Sequence, residues 1–256
     1  MTAYQSIKVE IADGVARLYL ARPKHNVFNI EMMREFNAAL EDLGQDNSLK
    51  CVVILGEGAS WCAGVDVGDH KPEMADQMIA TFNRSFELIN ALQVPTIAAV
   101  HGACLGGGME YAIACDIVIA ARKASFGQPE VKLGFFPPYA AVRLPELIGP
   151  AKAIEVCTTG NIYSADEACA LGFVSQVVDD ADFDEAVGKI VKSLQTSSPL
   201  ILRLNKQAVV ANVGAAFPTA MQHVSDLFLN KLMKTEDTQE GIASFYEKRR
   251  PVWKNN

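Results

Sequence analysis

Three short runs of this chain, 51–55, 96–100 and 116–121, are apolar with little interruption, the pattern of strands covered on both faces. Ahead of the first run, residues 30–43 set Met33, Phe36, Leu40 and Leu43 at helical spacing, and Met78, Phe82, Phe86 and Ile89 repeat that spacing ahead of the second. A third round follows, with a glycine turn at 106–108, a short helix through Ala114 and then the run 116–121. Strand and helix therefore alternate, with crossovers long enough for parallel strands in an open or spiral sheet. Upstream, Ile7, Val9 and Ile11 alternate with polar residues, Asp13 and Gly14 turn the chain, and 15–20 returns as the second strand of a hairpin. From about Ala151 the pattern is helical, with helices predicted over 165–171, 182–194, 200–213 and 216–233. No flexible linker divides the parts, so we expect an α/β core over 1–195 and a helical C-terminal section over 196–256 that acts as an oligomerisation or lid layer.

Half of the 256 residues are apolar and 21% are charged, enough to bury a sizeable core and too apolar for disorder. The net charge of −7 comes with scattered basic residues, so nucleic acid is not an expected partner. No apolar run approaches a membrane span and the first residues lack a secretory signal pattern, which makes the cytoplasm the expected location. The six cysteines form no C-x-x-C pair and lie among small and apolar residues, as buried reduced thiols do. The four histidines lack metal-ligand spacing, and no metal site is expected. Absence of G-x-S-x-G, G-x-x-x-x-G-K-[ST], H-E-x-x-H and a complete G-x-G-x-x-G removes the main support for those chemistries.

The stretch 102–110 follows a buried strand and opens a helix with Gly106, Gly107 and Gly108, leaving backbone N–H groups that no side chain guards. Such a turn can hold an oxyanion; it can also serve only close helix packing. A second small-residue turn at 62–66 follows the strand 51–55, so it can present another N–H at the same end of the sheet. Two donors of this kind would stabilise an enolate oxygen formed from a thioester, one lost donor costing on the order of 3 kcal/mol. Glu110 lies in the first turn after the glycines and Glu130 directly after the next strand, which allows both carboxylates to reach one cleft and divide acid and base work. Either could instead be plain: Glu110 a favourable charge near a helix N-terminus, Glu130 a solvated loop residue.

Together these stretches resemble the crotonase (enoyl-CoA hydratase/isomerase) superfamily. The resemblance is carried by Arg22-Pro23-Lys24-His25-Asn26, by 61–66, by 105–110, by Phe126-Gly127-Gln128-Pro129-Glu130 through Gly134, by 171–174 and by the tail from Glu240 to Lys254. It implies a spiral of ββα units with a helical C-terminal trimerisation region, a homotrimer or dimer of trimers, and an acyl-CoA thioester substrate. Coenzyme A then arrives as part of the substrate, with no separate cofactor. By position, Val65 and Gly107 would supply the oxyanion N–H groups, and Glu110 and Glu130 would be the two catalytic glutamates of hydratases. Ala63 and Asp66 would lie along the substrate, Lys24 near the coenzyme A phosphates and Lys254 near the nucleotide end.

Two departures from the common hydratase pattern stand out. Pro138 occupies the place of a glycine whose N–H would help hold the water, and proline has no N–H to offer. Gly68 stands where a lysine is frequent. The stretches Phe135-Phe136-Pro137-Pro138-Tyr139 and 26–30 resemble the branch that hydrates cyclohexa-1,5-diene-1-carbonyl-CoA in anaerobic aromatic degradation, and Phe135, Phe136 and Tyr139, with Pro137 between them, would wall a pocket for an alicyclic ring. The alternatives are a straight-chain 2-enoyl-CoA hydratase of β-oxidation, an enoyl-CoA isomerase, and an acyl-CoA-binding paralogue with inert glutamates.

Overall fold

The hairpin expected at the N-terminus forms from β1 (Ile7–Ala12) and β2 (Val15–Leu20), paired antiparallel from Ile7 opposite Leu20 to Ala12 opposite Val15. The structure is a computed structural model and describes residues 4–256. After α1 (Ile30–Gln45), the apolar runs become β3 (Cys51–Gly56), β4 (Thr96–Val100) and β6 (Ile117–Ala121), with α2 (Pro72–Ala91) between the first two. β2, β3, β4 and β6 are neighbours in one parallel sheet, with Val53 opposite Ile97 and Ala99 opposite Ile119. Both faces of this sheet are covered, which is why its strands are apolar without alternation.

Each turn of the chain also contributes a short second strand to another layer. β5 (Ala103–Leu105) follows β4 and leads into α3 (Gly107–Ala114); β7 (Ser125–Gly127) follows β6 and leads, through a single-turn helix at Pro129–Leu133, to α4 (Pro138–Ile148) and α5 (Pro150–Thr159). β5 pairs parallel with β7, and β7 pairs antiparallel with β8 (Ile162–Ser164). Single bridges from Cys62 to Cys104 and from Phe28 to Val65 extend the same ladder through the earlier turns. The result is a spiral of strand–strand–helix units, in agreement with the expected architecture.

The chain closes with α6 (Ala165–Leu171), β9 (Gln176–Val178) at the edge of the large sheet, α7 (Phe183–Gln195), α8 (Pro199–Val210), α9 (Phe217–Asn230) and α10 (Glu236–Glu247). The predicted helices over 182–194 and 216–233 fall on α7 and α9, while the one over 200–213 ends at Val210. α4 lies where no helix is predicted, because Pro137, Pro138 and Pro145 punctuate its sequence. Its first residue is Pro138, where a missing N–H costs nothing. α8 is tied to the sheet by Lys206, whose Nζ donates to Asp116 Oδ2 at 2.6 Å, and Asp116 accepts the Thr96 N–H at 2.7 Å.

The main core holds an aromatic cluster of Phe28, Phe36, Phe82, Phe86 and Tyr111. The buried Tyr111 hydroxyl donates to Ser85 Oγ at 2.9 Å, and Ser85 donates to Asn37 Oδ1 at 2.6 Å, so the one polar handle of the cluster is satisfied. Cys51, Cys62, Cys104 and Cys115 are buried and Cys157 and Cys169 half-buried, all as free thiols, in line with the sequence reading. Among the described residues no helix is long and apolar enough to cross a membrane, and no cluster of side chains could hold a metal ion.

Candidate active site

Asn26 organises the turn that carries Val65. Its amide nitrogen donates to the carbonyls of Glu57, Ser60 and Trp61 at 2.8, 2.9 and 3.2 Å, and the neighbouring His25 carbonyl accepts the Ala63 N–H. Phe28 then bonds on both sides of Val65, donating to the Gly64 carbonyl and accepting from the Asp66 N–H. A strand residue flanked in this way turns its own N–H to the opposite side. Among the described residues no acceptor meets the Val65 N–H.

The second donor comes from α3. Gly106 spends its N–H on the Gly127 carbonyl, so Gly107 is the first helical residue and its N–H is left without a partner among the described residues. Close approach requires glycine here: a Cβ on Gly107 would lie 2.5 Å from Val65 Cγ2, and one on Gly106, at φ +54°, would lie 2.8 Å from Glu130 Oε1. Val65 therefore packs directly against Gly107, and the Glu130 carboxyl lies beside Gly106.

Val65 and Gly107 both line a cavity of about 580 Å³. Of the residues singled out in the sequence, Val65, Gly107, Glu110, Glu130, Ala63, Phe135 and Phe136 line it, and Pro138 joins them; the apolar wall is completed by Met78, Ile79 and Phe82. Glu110 is only 2% exposed and its Oε1 accepts the Ala140 N–H at 2.8 Å. Burial pushes its carboxyl up to about 8, opposed by the N–H groups of Ala140 and Tyr139 at the start of α4 and reinforced by the charge of Glu130. Burial likewise raises Glu130 to about 7.

Other expected contacts fall elsewhere. Tyr139 does not wall the cavity: its ring stacks on Phe86 at a centroid distance of 3.8 Å and completes the aromatic core. Pro137 is buried at the cap of α4, outside the lining. Asp66 turns away to cap the helical turn Val67–His70, accepting the Gly68 N–H at 2.9 Å and pairing with Arg22 at 3.6 Å. Lys24 is exposed in its turn, and Lys254 pairs with Glu236 at 3.0 Å while its backbone N–H is held by the buried Asp237. Neither lysine lines the cavity.

Gln128 was not among the expected site residues. It is fully buried, and with its amide nitrogen turned to the site it donates to Glu130 Oε1 and Oε2 at 3.0 and 3.1 Å and to the Gly106 carbonyl at 3.3 Å. Its signal in the sequence is its place two residues before Glu130, on the segment where β7 ends. His70, which also lines the cavity, carries no such signal.

A carbonyl oxygen between Val65 and Gly107 can accept negative charge, and the carboxyl pair can exchange protons with the carbon atoms next to it. Acid–base chemistry on carbonyl compounds is therefore the class that the spiral and its cavity define. Residues 10–256 match the model of the enoyl-CoA hydratase/isomerase family, and the chain belongs to that family of enzymes. It is 36% identical over 254 residues to the crotonyl-CoA hydratase of Syntrophomonas wolfei, covering 97% of each chain. It is also 36% identical over 251 residues to a probable enoyl-CoA hydratase of Mycobacterium bovis, again with 97% of each covered. The crystal structure of an enoyl-CoA hydratase from Bacillus anthracis superposes with a TM-score of 0.93 at 30% identity, covering 98% of this chain and 100% of that one.

Proposed function

We propose that this enzyme adds water to a double bond conjugated with the carbonyl of an acyl-CoA thioester. The observation that carries the reading is the convergence of Glu110, Glu130, the Val65 N–H and the Gly107 N–H on one cavity. The thioester oxygen sits between the two N–H groups. One carboxyl of the pair is ionised and takes a proton from water as its oxygen attacks the conjugated carbon; electron density moves to the thioester oxygen, and the protonated carboxyl delivers its proton to the carbon that completes the addition. The pair ends with the same number of protons it began with, so it acts as one acid–base unit. Every step is a proton transfer or an attack by oxygen, and coenzyme A enters only as part of the substrate. Lys24 and Lys254 are assigned to its phosphate and nucleotide end as exposed cations outside the acyl cavity.

For the acyl group we favour a cyclic diene, cyclohexa-1,5-diene-1-carbonyl-CoA, to which water adds in the 1,4 sense. Supporting it are the cavity's volume of about 580 Å³ and its walls of Phe82, Phe135, Phe136, Met78 and Ile79, which suit an alicyclic ring. A straight-chain substrate is the second reading, favoured by the likeness to a crotonyl-CoA hydratase. Incubation with each thioester in water carrying a heavy oxygen isotope, followed by mass spectrometry, separates them. Label in a hydroxy product from the diene supports the cyclic reading, label from crotonyl-CoA alone supports the second, and label from neither overturns hydration.

We further assign residues 196–256 to assembly as a trimer or dimer of trimers. Phe217 and Leu229 on α9 and Phe245 and Tyr246 on α10 are large apolar side chains left exposed, surface that a second copy of the chain would cover. Sedimentation of the purified chain tests this assignment.

A further inference from the structure

Three polar side chains line the cavity, and the proposed reaction uses only Glu110 and Glu130. The third is His70, at the end of the helical turn Val67–His70 that precedes α2. α2 supplies Ala75, Met78, Ile79 and Phe82 to the apolar wall, so His70 is a single polar group set into the side of the cavity that otherwise offers only hydrocarbon.

The ring is held in one orientation. Its Nδ1 lies 2.9 Å from the Asp66 carbonyl oxygen, which can only accept a hydrogen bond. In the neutral imidazole the proton therefore sits on Nδ1 and Nε2 carries the lone pair. His70 also packs against Phe135 at a ring-centroid distance of 4.9 Å. The turn beneath it is fixed at both ends, since Asp66 caps it through the Gly68 N–H and Asp69 Oδ2 accepts the Ile30 N–H at 2.8 Å. Among the described residues Nε2 has no hydrogen-bond partner, and it is not a buried orphan, so it is accessible to a ligand. A fixed acceptor in an apolar wall rewards a ligand that brings a donor to it, because no ordering cost is left for the protein side.

We infer that His70 is a specificity residue: its Nε2 accepts a hydrogen bond from a hydroxyl already carried by the acyl group, distinct from the hydroxyl that hydration installs beside the glutamates. The enzyme is thus suited to hydroxylated acyl-CoA thioesters as well as plain ones. This rests on the acyl-CoA reading proposed above.

The test uses saturated thioesters, which bind without being hydrated, in matched pairs: 4-hydroxybutanoyl-CoA against butanoyl-CoA, and 4-hydroxycyclohexanecarbonyl-CoA against cyclohexanecarbonyl-CoA. Dissociation constants are measured by calorimetry at mildly alkaline pH for the parent protein, His70→Leu and His70→Gln. In at least one pair the hydroxylated member should bind the parent roughly 2- to 12-fold more tightly, the range for one net hydrogen bond. His70→Leu should erase that preference while still binding the plain member, which also shows that the variant is folded; His70→Gln keeps an acceptor and should retain part of it. Equal or weaker binding of the hydroxylated member in both pairs overturns the inference and leaves the acyl-CoA reading intact, as does a preference that survives in His70→Leu. Failure of the parent to bind any of the four thioesters overturns both.

Discussion

Replacing Glu110 by Gln removes a titrating proton from the most buried carboxyl of the site while keeping an acceptor for the Ala140 N–H that now reaches it at 2.8 Å. In the unfolded chain this carboxyl ionises near its ordinary value of 4.5, whereas burial in the folded protein raises it to about 8. Between those values the folded state keeps a proton that the unfolded state has released, so stability is fully present below the unfolded value and is lost as pH rises through the folded one. The loss runs at about 1.4 kcal/mol per pH unit and reaches about 5 kcal/mol once the rise from 4.5 to about 8 is complete. Gln carries no such linkage. Urea unfolding of parent and Glu110→Gln at fixed protein concentration should therefore diverge by roughly 2–3 kcal/mol between about pH 6 and pH 8, the variant being the more stable, and run parallel above that. The same variant should lose hydration of its substrate by about 100-fold or more at every pH. Stability curves that stay parallel from pH 6 to pH 8 would refute the argument that Glu110 is held neutral by burial.

In the proposed reaction the carboxyl pair works with one member ionised and one protonated, so kcat/KM for hydration should be bell-shaped, falling below about 7 as Glu130 protonates and above about 8 as Glu110 ionises; a stopped-assay pH series checks both limbs. Gly107→Ala places a Cβ 2.5 Å from Val65 Cγ2, which must push the two N–H groups apart; kcat should fall about 100- to 1,000-fold in steady-state assays, with the far-ultraviolet spectrum unchanged. Gln128→Leu removes the amide donor that favours the ionised form of Glu130, so the acidic limb of the profile should move up by about one pH unit, a shift that a purely structural role would not produce.

Much of the architecture was legible because its long elements obey simple periods. The strands 51–55, 96–100 and 116–121 were readable as sheet interior and the stripes Met33–Leu43 and Met78–Ile89 as helices, and all five fall on observed elements. The second layer was not legible: β5, β7 and β8 are three residues each, and Phe28, Val65 and Cys62 join it by single bridges, too short for any alternation to show. Of the site, Glu110 and Glu130 could be paired from topology, since each follows the end of a parallel strand. Tyr139 was misplaced for a physical reason: of the three aromatic residues in Phe135-Phe136-Pro137-Pro138-Tyr139, which one faces core depends on where α4 begins, and that start is hidden among prolines. Asp66 was read toward substrate, but a short acid ahead of a helical turn finds its N–H partner locally, here on Gly68.

The substitution at position 138 shows how such a hidden start matters for the chemistry. Read along the chain, a proline in place of glycine subtracts an N–H from the site, and the subtraction argues for an impaired hydratase. In the fold the same proline begins α4, where it costs no hydrogen bond and fixes the direction of the first turn. The unpaired N–H groups of that turn then converge on Glu110, with Ala140 within 2.8 Å and Tyr139 contributing to the same carboxyl. They offset part of the burial that would otherwise raise Glu110 further, and leave it near 8, within reach of both protonation states at neutral pH. The donor missing from residue 138 is thus replaced by donors on the helix that residue 138 starts, acting on the Glu110 carboxyl instead of on the water of the proposed reaction.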